Sequence, residues 1–434
     1  MSFPVQVSKA LRVAPALVLM LGCGLPAKAS QLNVLYSFCA QTNCTDGRNP
    51  TGGVIRDPAT GSLFGTTPNG GQTGNSGTGF EVIPKGKKTK YEVLNTFCPD
   101  GNCSDGTIEG GLIEDVNGAI YGTTATGEGA SSEGMAFSLT PSGKKWKFKT
   151  LYSFPGKGQS ATNPIYLTYA GADTGALYDG TSALYGVAQK DGISSGGAIF
   201  ALTKSGKKWK ESVLYNFCSQ SNCTDGFFPN PGLAIDGSGN IYGTTVAGGP
   251  NGRGAVFELS PQGGGSWSET VLYSFCSGFG CPDGSDPKSG VVRDASGNLF
   301  GNTSTGGGLN KGELYELVPN GANSQYTPLY SFCAQGDCTD GSTPDTPLLL
   351  DGSGNIFGMT DNGGTGFSSG GVLFEFSKGQ FSLLYSFCTA GGFCEDGFEP
   401  SPYAPLVIDG SGNLYGTTEG GGAHRAGEVF QFKP

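Results

Sequence analysis

Between Gly232 and Cys281 the chain alternates four short apolar runs, GLAID, NIYGTT, GAVFEL and TVLYSF, with turns rich in Gly, Ser, Asn and Pro. Each run is only five or six residues long, apolar at alternate or adjacent positions, and no stretch carries the 3.6-residue period of a helix. Such runs read as strands whose two faces both pack on neighbours. The unit recurs: LYSF or a close variant begins at Leu35, Leu94, Leu151, Leu214, Leu272, Leu329 and Leu384, at intervals of 55 to 63 residues. A period of this length with four strand signals is the pattern of a propeller blade.

The four runs become strands a to d, counted outward from the axis. The turns DGSGN at Asp236, Asp351 and Asp409, and DASGN at Asp294, have the Asp, Asn and Gly chemistry of hairpins joining a to b. A complete strand d, Leu32 to Phe38, precedes the first strand a near Gly53, and no strand d follows the last strand c, Glu428 to Phe432. Surplus matches deficit. The prediction is an all-β fold: a seven-bladed β-propeller of four-stranded antiparallel blades, closed by the N-terminal strand completing the last blade. An open stack would need capping repeats. Chain direction then puts the d-to-a and b-to-c loops on one face of the ring, and the a-to-b and c-to-d turns on the other. The third repeat is irregular, inserting GADTGALYDGTS after its strand a.

Composition alters this picture little. Gly supplies 77 of 434 residues, which many turns with positive φ explain; 36% hydrophobic and 11% aromatic residues suffice for a core. A net charge of -10 argues against nucleic-acid partners, which need basic surfaces. Residues 1–29 read as a signal peptide: Lys9 and Arg12 precede an apolar run from Val13 to Leu21, and Ala27-Lys28-Ala29 fits a cleavage site, leaving 30–434 as the propeller. Lipidation at Cys23 is the alternative. No later segment is apolar enough to span a membrane, and a secreted or periplasmic monomer is expected.

Twelve further cysteines fall in six close pairs: Cys39/Cys44, Cys98/Cys103, Cys218/Cys223, Cys276/Cys281, Cys333/Cys338 and Cys388/Cys394. An even count in local pairs behind a signal peptide reads as disulfides. A structural metal would need four N or S ligands per site, and the chain has one His.

The combination YSF, D-G, D-x-x-G-N-[LI]-[YF]-G-[TM]-T, G-G and G-[TAEV]-[VL]-F-[EQ]-[LF] resembles the Gloeo-Verruco (GloVer) tandem repeat of secreted bacterial proteins and runs from Ser30 to Pro434. The resemblance implies export and often a surface anchor, but no particular activity.

Six copies carry Asp-Gly just after the second cysteine: Asp46, Asp105, Asp225, Asp283, Asp340 and Asp396. On one face of a ring they could bind Ca²⁺ or sugar hydroxyls. The plainer reading is that each shapes its loop, the carboxylate accepting from nearby backbone N–H groups. DGSGN lacks the Gly and Glu that an EF-hand requires. The G-x-S-x-G matches at Gly192–Gly196 and Gly366–Gly370 sit in Gly-rich loops, not at strand-to-helix elbows, and His424 is the one candidate base. The turns with Lys85, Lys87, Lys88 and Lys90, with Lys144, Lys145 and Lys147, and with Lys207, Lys208 and Lys210 read as solvated hairpins whose lysines discourage edge pairing; an anionic-glycan patch is the alternative. The function expected is a non-catalytic binding or scaffold module for carbohydrate or another cell-surface component, with no cofactor beyond a possible Ca²⁺. The alternatives are a propeller-type glycosidase or lyase using paired carboxylates, and a structural envelope protein.

Overall fold

The computed structural model describes residues 31–434 except 73–76, 86–87, 100–105, 109, 127–132, 144, 157–159, 190–194, 367–369, 391–392 and 402. The leader, Cys23, Cys103, Asp105, Lys87, Lys144 and most of both G-x-S-x-G segments lie outside the described residues.

Seven antiparallel sheets follow one another around a ring. In blade 4, Ala234–Ile235 is strand a, Ile241–Ala247 strand b, Ala255–Gly263 strand c and Ser266–Ser274 strand d. The ring closes as the end-matching argument requires. Gln31–Ser37 pairs antiparallel with Glu428–Lys433, Leu32 opposite Phe432, Val34 opposite Phe430 and Ser37 opposite Glu428. The N-terminal strand thus supplies strand d of blade 7.

The innermost strands are shorter than the apolar runs suggest, only two residues in blades 4 to 7. In blades 2, 4 and 7 a separate piece, such as Phe227–Pro229, also pairs with strand b. Crowding at the axis is the reason. A Cβ at Gly290 would lie 1.8 Å from the Gly232 carbonyl oxygen, and one at Gly110 would lie 1.9 Å from that of Ile165. Neighbouring blades meet there backbone to backbone, and Pro231 offers no N–H to a ladder.

The core lies between blades. The Gly of each [LI]-[YF]-G run on strand b faces an aromatic on strand c: Gly65 opposite Phe80, Gly243 opposite Phe257, Gly416 opposite Phe430. In all seven blades a Cβ at this Gly would approach that aromatic side chain within 2.1–2.8 Å. The buried ring in turn meets the YSF phenylalanine of the preceding blade. The seven pairs, Phe38–Phe80, Phe97–Phe137, Phe154–Phe200, Phe217–Phe257, Phe275–Tyr315, Phe332–Phe374 and Phe387–Phe430, have centroids 4.8–5.4 Å apart. Such pairs contribute about 0.5–1.5 kcal/mol beyond area burial.

The insert of blade 3 carries a 3-10 turn, Ala172–Thr174, and buries Tyr178. Tyr178 bonds through its backbone to Glu114 and Val116 of blade 2. The insert thereby forms a parallel bridge with the edge of that blade's a-to-b turn at Asp115.

Candidate binding face

Five of the disulfides lie among the described residues: Cys39–Cys44, Cys218–Cys223, Cys276–Cys281, Cys333–Cys338 and Cys388–Cys394. Both cysteines of each take left-handed φ, between 51° and 64°. Non-glycine residues persist there only when their surroundings over-determine the backbone. The carbonyl of the second cysteine accepts from the Gly-Gly loop between strands b and c, as in Gly249 N–H to Cys223 O at 2.9 Å. Gly71, Gly307, Gly364 and Gly422 do the same. The two loop families are therefore in contact on one face, as chain direction demands.

The Asp-Gly aspartates sit beneath these loops. Asp46, Asp225, Asp283, Asp340 and Asp396 are all buried. Each accepts from the YSF tyrosine ten or eleven residues earlier: Tyr36 to Asp46 at 2.6 Å, Tyr215 to Asp225 at 2.9 Å, Tyr273 to Asp283 at 2.6 Å, Tyr330 to Asp340 at 2.6 Å and Tyr385 to Asp396 at 2.7 Å. Each also accepts a backbone N–H from inside the disulfide loop, from Ala40, Ser219, Ser277, Ala334 and Thr389. Burial and the facing carboxylate push these tyrosines above their ordinary range.

Blade 3 has neither the cysteines nor the Asp-Gly, yet Tyr152 still donates to a carboxylate. Glu211, from strand d of blade 3, accepts from Tyr152 at 3.0 Å, from the Ser160 hydroxyl at 2.7 Å and from Ala161 N–H at 2.7 Å. A residue 59 positions away replaces one ten positions away.

A second group on this face was not visible in the repeats. Lys288 and Asp345 stand at matching positions in the d-to-a connections entering blades 5 and 6, with Nζ and Oδ2 4.0 Å apart. Asp345 is buried and its Oδ1 has no hydrogen-bond partner. Burial, with Asp361 adding and Lys288 opposing, pushes its carboxyl up to about 7. Asp361 is raised by burial, and Glu399 and Glu419 by burial together with Asp361. These carboxylates form an acidic rim across blades 6 and 7. Among the described residues no three His, Cys, Asp or Glu side chains converge as metal ligands would. Beside the rim, a polar cavity of about 410 Å³ is lined by Lys311, Asp337, Cys338, Ser342, Thr343, Asn362 and Gly363. The Asn362 amide donates to Asp361 at 2.8 Å, which joins cavity and rim. His424 is exposed in the b-to-c loop of blade 7. Rim positions differ from repeat to repeat: Asp361 corresponds to Ser304, Val246 and Glu419. That variation within a fixed frame is the signal that could have found them.

The disulfides place the chain in an oxidising compartment, since such bridges do not persist in reducing cytosol. No helix among the described residues is long and apolar enough to cross a membrane. Fold and face together define a disulfide-clamped repeat propeller. The family model described as the Gloeobacter/Verrucomicrobia repeat matches residues 88–280, 167–344 and 268–434. This chain belongs to that family. Among curated proteins none matches it. Its fold is similar to that of Penicillium chrysogenum alpha-L-arabinanase complexed with arabinobiose, at 13% identity over 74% of this chain and 91% of that one, with a TM-score of 0.43. Trypanosoma rangeli sialidase in complex with the inhibitor DANA gives 10% identity over 74% and 53%, TM-score 0.39. The β-propeller domain of the Trilobed protease from Pyrococcus furiosus gives 9% identity over 89% and 94%, TM-score 0.40. Likeness this distant carries none of their activities to this chain.

Proposed function

We propose that the protein is a non-catalytic, extracellular binding module whose recognition surface is the disulfide-bearing face, and whose ligand is a carbohydrate or another hydroxyl-rich cell-surface component. One observation carries this reading: residues common to the repeats tie the disulfide loops to the Gly-Gly loops, while Lys311, Asp337 and Thr343, which change between repeats, line the cavity beside Asp361. Its lining of hydroxyl, amide, ammonium and carboxylate groups offers the donors and acceptors that a polar ligand needs. The test is a glycan-array screen with and without Ca²⁺, repeated with Lys311→Ala/Asn362→Ala. Binding that this double variant weakens supports the proposal. Absence of binding to every glycan under both conditions overturns it.

A second reading, a glycoside-cleaving enzyme, is favoured by one feature. Asp345 titrates at about 7 close to the Asp361 carboxylate, and a protonated acid near a second carboxylate is the arrangement such cleavage uses. If it holds, Asp345→Asn abolishes polysaccharide turnover without disturbing the fold. Lack of turnover by the native protein on a broad polysaccharide panel excludes it.

A further inference from the structure

The lysines are not spread over this ring. Twelve of the chain's twenty lie within residues 85–90, 144–149 and 204–210, and those three spans contain no Asp or Glu. Those among the described residues stand in the c-to-d hairpins and outer strands of blades 1, 2 and 3: Lys88–Thr96, Lys145–Ser153 and Lys208–Asn216 are three consecutive outer strands. The outer strand of blade 2 touches those of blades 1 and 3, so the three basic spans lie on consecutive blades along one arc of the ring, a basic crescent. It lies on the face opposite the disulfide loops, in a chain whose net charge is -10.

Alternation along the strands turns the charges outward. Lys145, Lys147 and Lys149 are exposed, and Trp146 and Phe148 between them are half-buried. Lys208 and Lys210 are exposed around buried Trp209. Residues two apart on one strand face are roughly 7 Å apart, so each strand offers a row of evenly spaced ammonium groups. Among the described residues only Lys90 of this set pairs with a carboxylate, that of Glu92. Glu211, next to Lys210 in sequence, is occupied by Tyr152, Ser160 and Ala161.

Protection of sheet edges does not account for this. Every blade exposes an outer strand, yet Ser266–Ser274, Gln325–Ser331 and Gln380–Ser386 carry no lysine. We propose that the crescent of blades 1–3 is a docking surface for a linear anionic polysaccharide, one bearing carboxylate or sulfate groups at regular intervals. Lysine ammonium groups are point charges that suit a row of single anions, and the set includes no arginine fork for bidentate phosphate. The strand aromatics Trp146, Phe148 and Trp209 are half-buried or buried, so among the described residues the crescent offers no exposed aromatic anchor for a lipid bilayer.

The test uses the full chain, with dextran sulfate and polygalacturonate as probes, dextran as the neutral control and phosphatidylglycerol vesicles as a separate arm. Both soluble polyanions bind and dextran does not. Lys147→Gln/Lys149→Gln/Lys208→Gln/Lys210→Gln, and separately Lys88→Gln/Lys90→Gln, weaken binding, the quadruple variant by at least about tenfold. Raising salt from about 0.01 M to about 1 M, which cuts the screening length from about 30 to about 3 Å, abolishes it. Lys378→Gln, an exposed lysine in the c-to-d turn of blade 6, leaves it unchanged, and the cavity variant is read on the glycan array instead, so failure of the cavity reading and failure of this one are distinguishable. The proposal is overturned if neither polyanion binds, if folded lysine variants bind as well as wild type, if only vesicles bind, or if the crescent instead mediates salt-sensitive self-association.

Discussion

The Tyr273 hydroxyl lies 2.6 Å from Asp283 Oδ2, beneath the Cys276–Cys281 loop, and the same tyrosine–carboxylate bond recurs around the ring. The carboxylate also holds Ser277 N–H, so it ties the end of one blade to the loop that starts the next. Asp283→Ala leaves a buried hydroxyl and an amide without acceptors. The expected cost is about 1–3 kcal/mol, read as a lower denaturant midpoint. An unchanged midpoint would show that the network is dispensable.

Glu211 performs this task for blade 3 from a different strand, which yields a sharper expectation. Glu211→Ala destabilises to about the same degree as Asp283→Ala, again about 1–3 kcal/mol. Introducing Tyr152→Phe on top of Glu211→Ala then costs little more, because the hydroxyl has already lost its partner. Fully additive losses in this double-mutant cycle would refute the pairing.

The disulfides close loops of about six residues, so chain entropy assigns each about 2 kcal/mol. Cys276→Ser/Cys281→Ser keeps the fold, because Asp283 still fastens the loop through Tyr273 and Ser277. Circular dichroism of that variant checks this expectation, and loss of the β signal would show the bridges to be indispensable.

Closure depends on Gln31–Ser37 pairing with Glu428–Lys433 without a covalent hairpin. Removing residues 31–37 leaves the edge of strand c in blade 7 unpaired and strips Leu32 from its cluster. Aggregation or loss of cooperative unfolding follows. A circular permutant that joins 434 to 31 by a short turn and opens at another c-to-d hairpin folds at least as stably, as its unfolding midpoint would reveal.

Several buried acids make stability fall as pH rises. Burial pushes Glu114 and Asp345 up to about 7 and Glu269 up to about 8, and it holds Glu428 well above the ordinary range. Unfolded Asp and Glu titrate near 3.9 and 4.3. The folded chain therefore binds protons that the unfolded chain releases. The resulting stability is fully present below about pH 4 and is lost as pH rises through about 7–8. Denaturation midpoints should be higher at pH 5 than at pH 8. Glu428→Gln, which removes an ionisable group lacking hydrogen-bond partners, should flatten the profile. A midpoint that rises across this range would contradict the sign.

Much of the fold was legible before any coordinates. Strand order, blade number, the pairing of Leu32–Phe38 with Glu428–Phe432 and the two loop faces follow from period and end-matching, because a repeat must bury the same faces in every copy. The Asp-Gly positions were legible too, though not the tyrosine that meets each carboxylate across its loop. The acidic rim was not legible, since Lys288, Asp345, Asp361 and Glu419 stand at positions that change between repeats. Glu211 was hidden for the same reason: nothing in a strand's pattern shows that it replaces an aspartate missing from another loop.

By itself, then, the order of residues determined everything that recurs: strands, turns, blade seams, cysteine pairs and the joining of the two ends. Only the tertiary structure decided what occurs once, such as the buried carboxyl of Asp345, the cavity by Asn362 and the contact between the lysine-bearing outer strands. Local pattern sets local backbone and burial, whereas the environment of a charge depends on which distant residues the ring brings beside it.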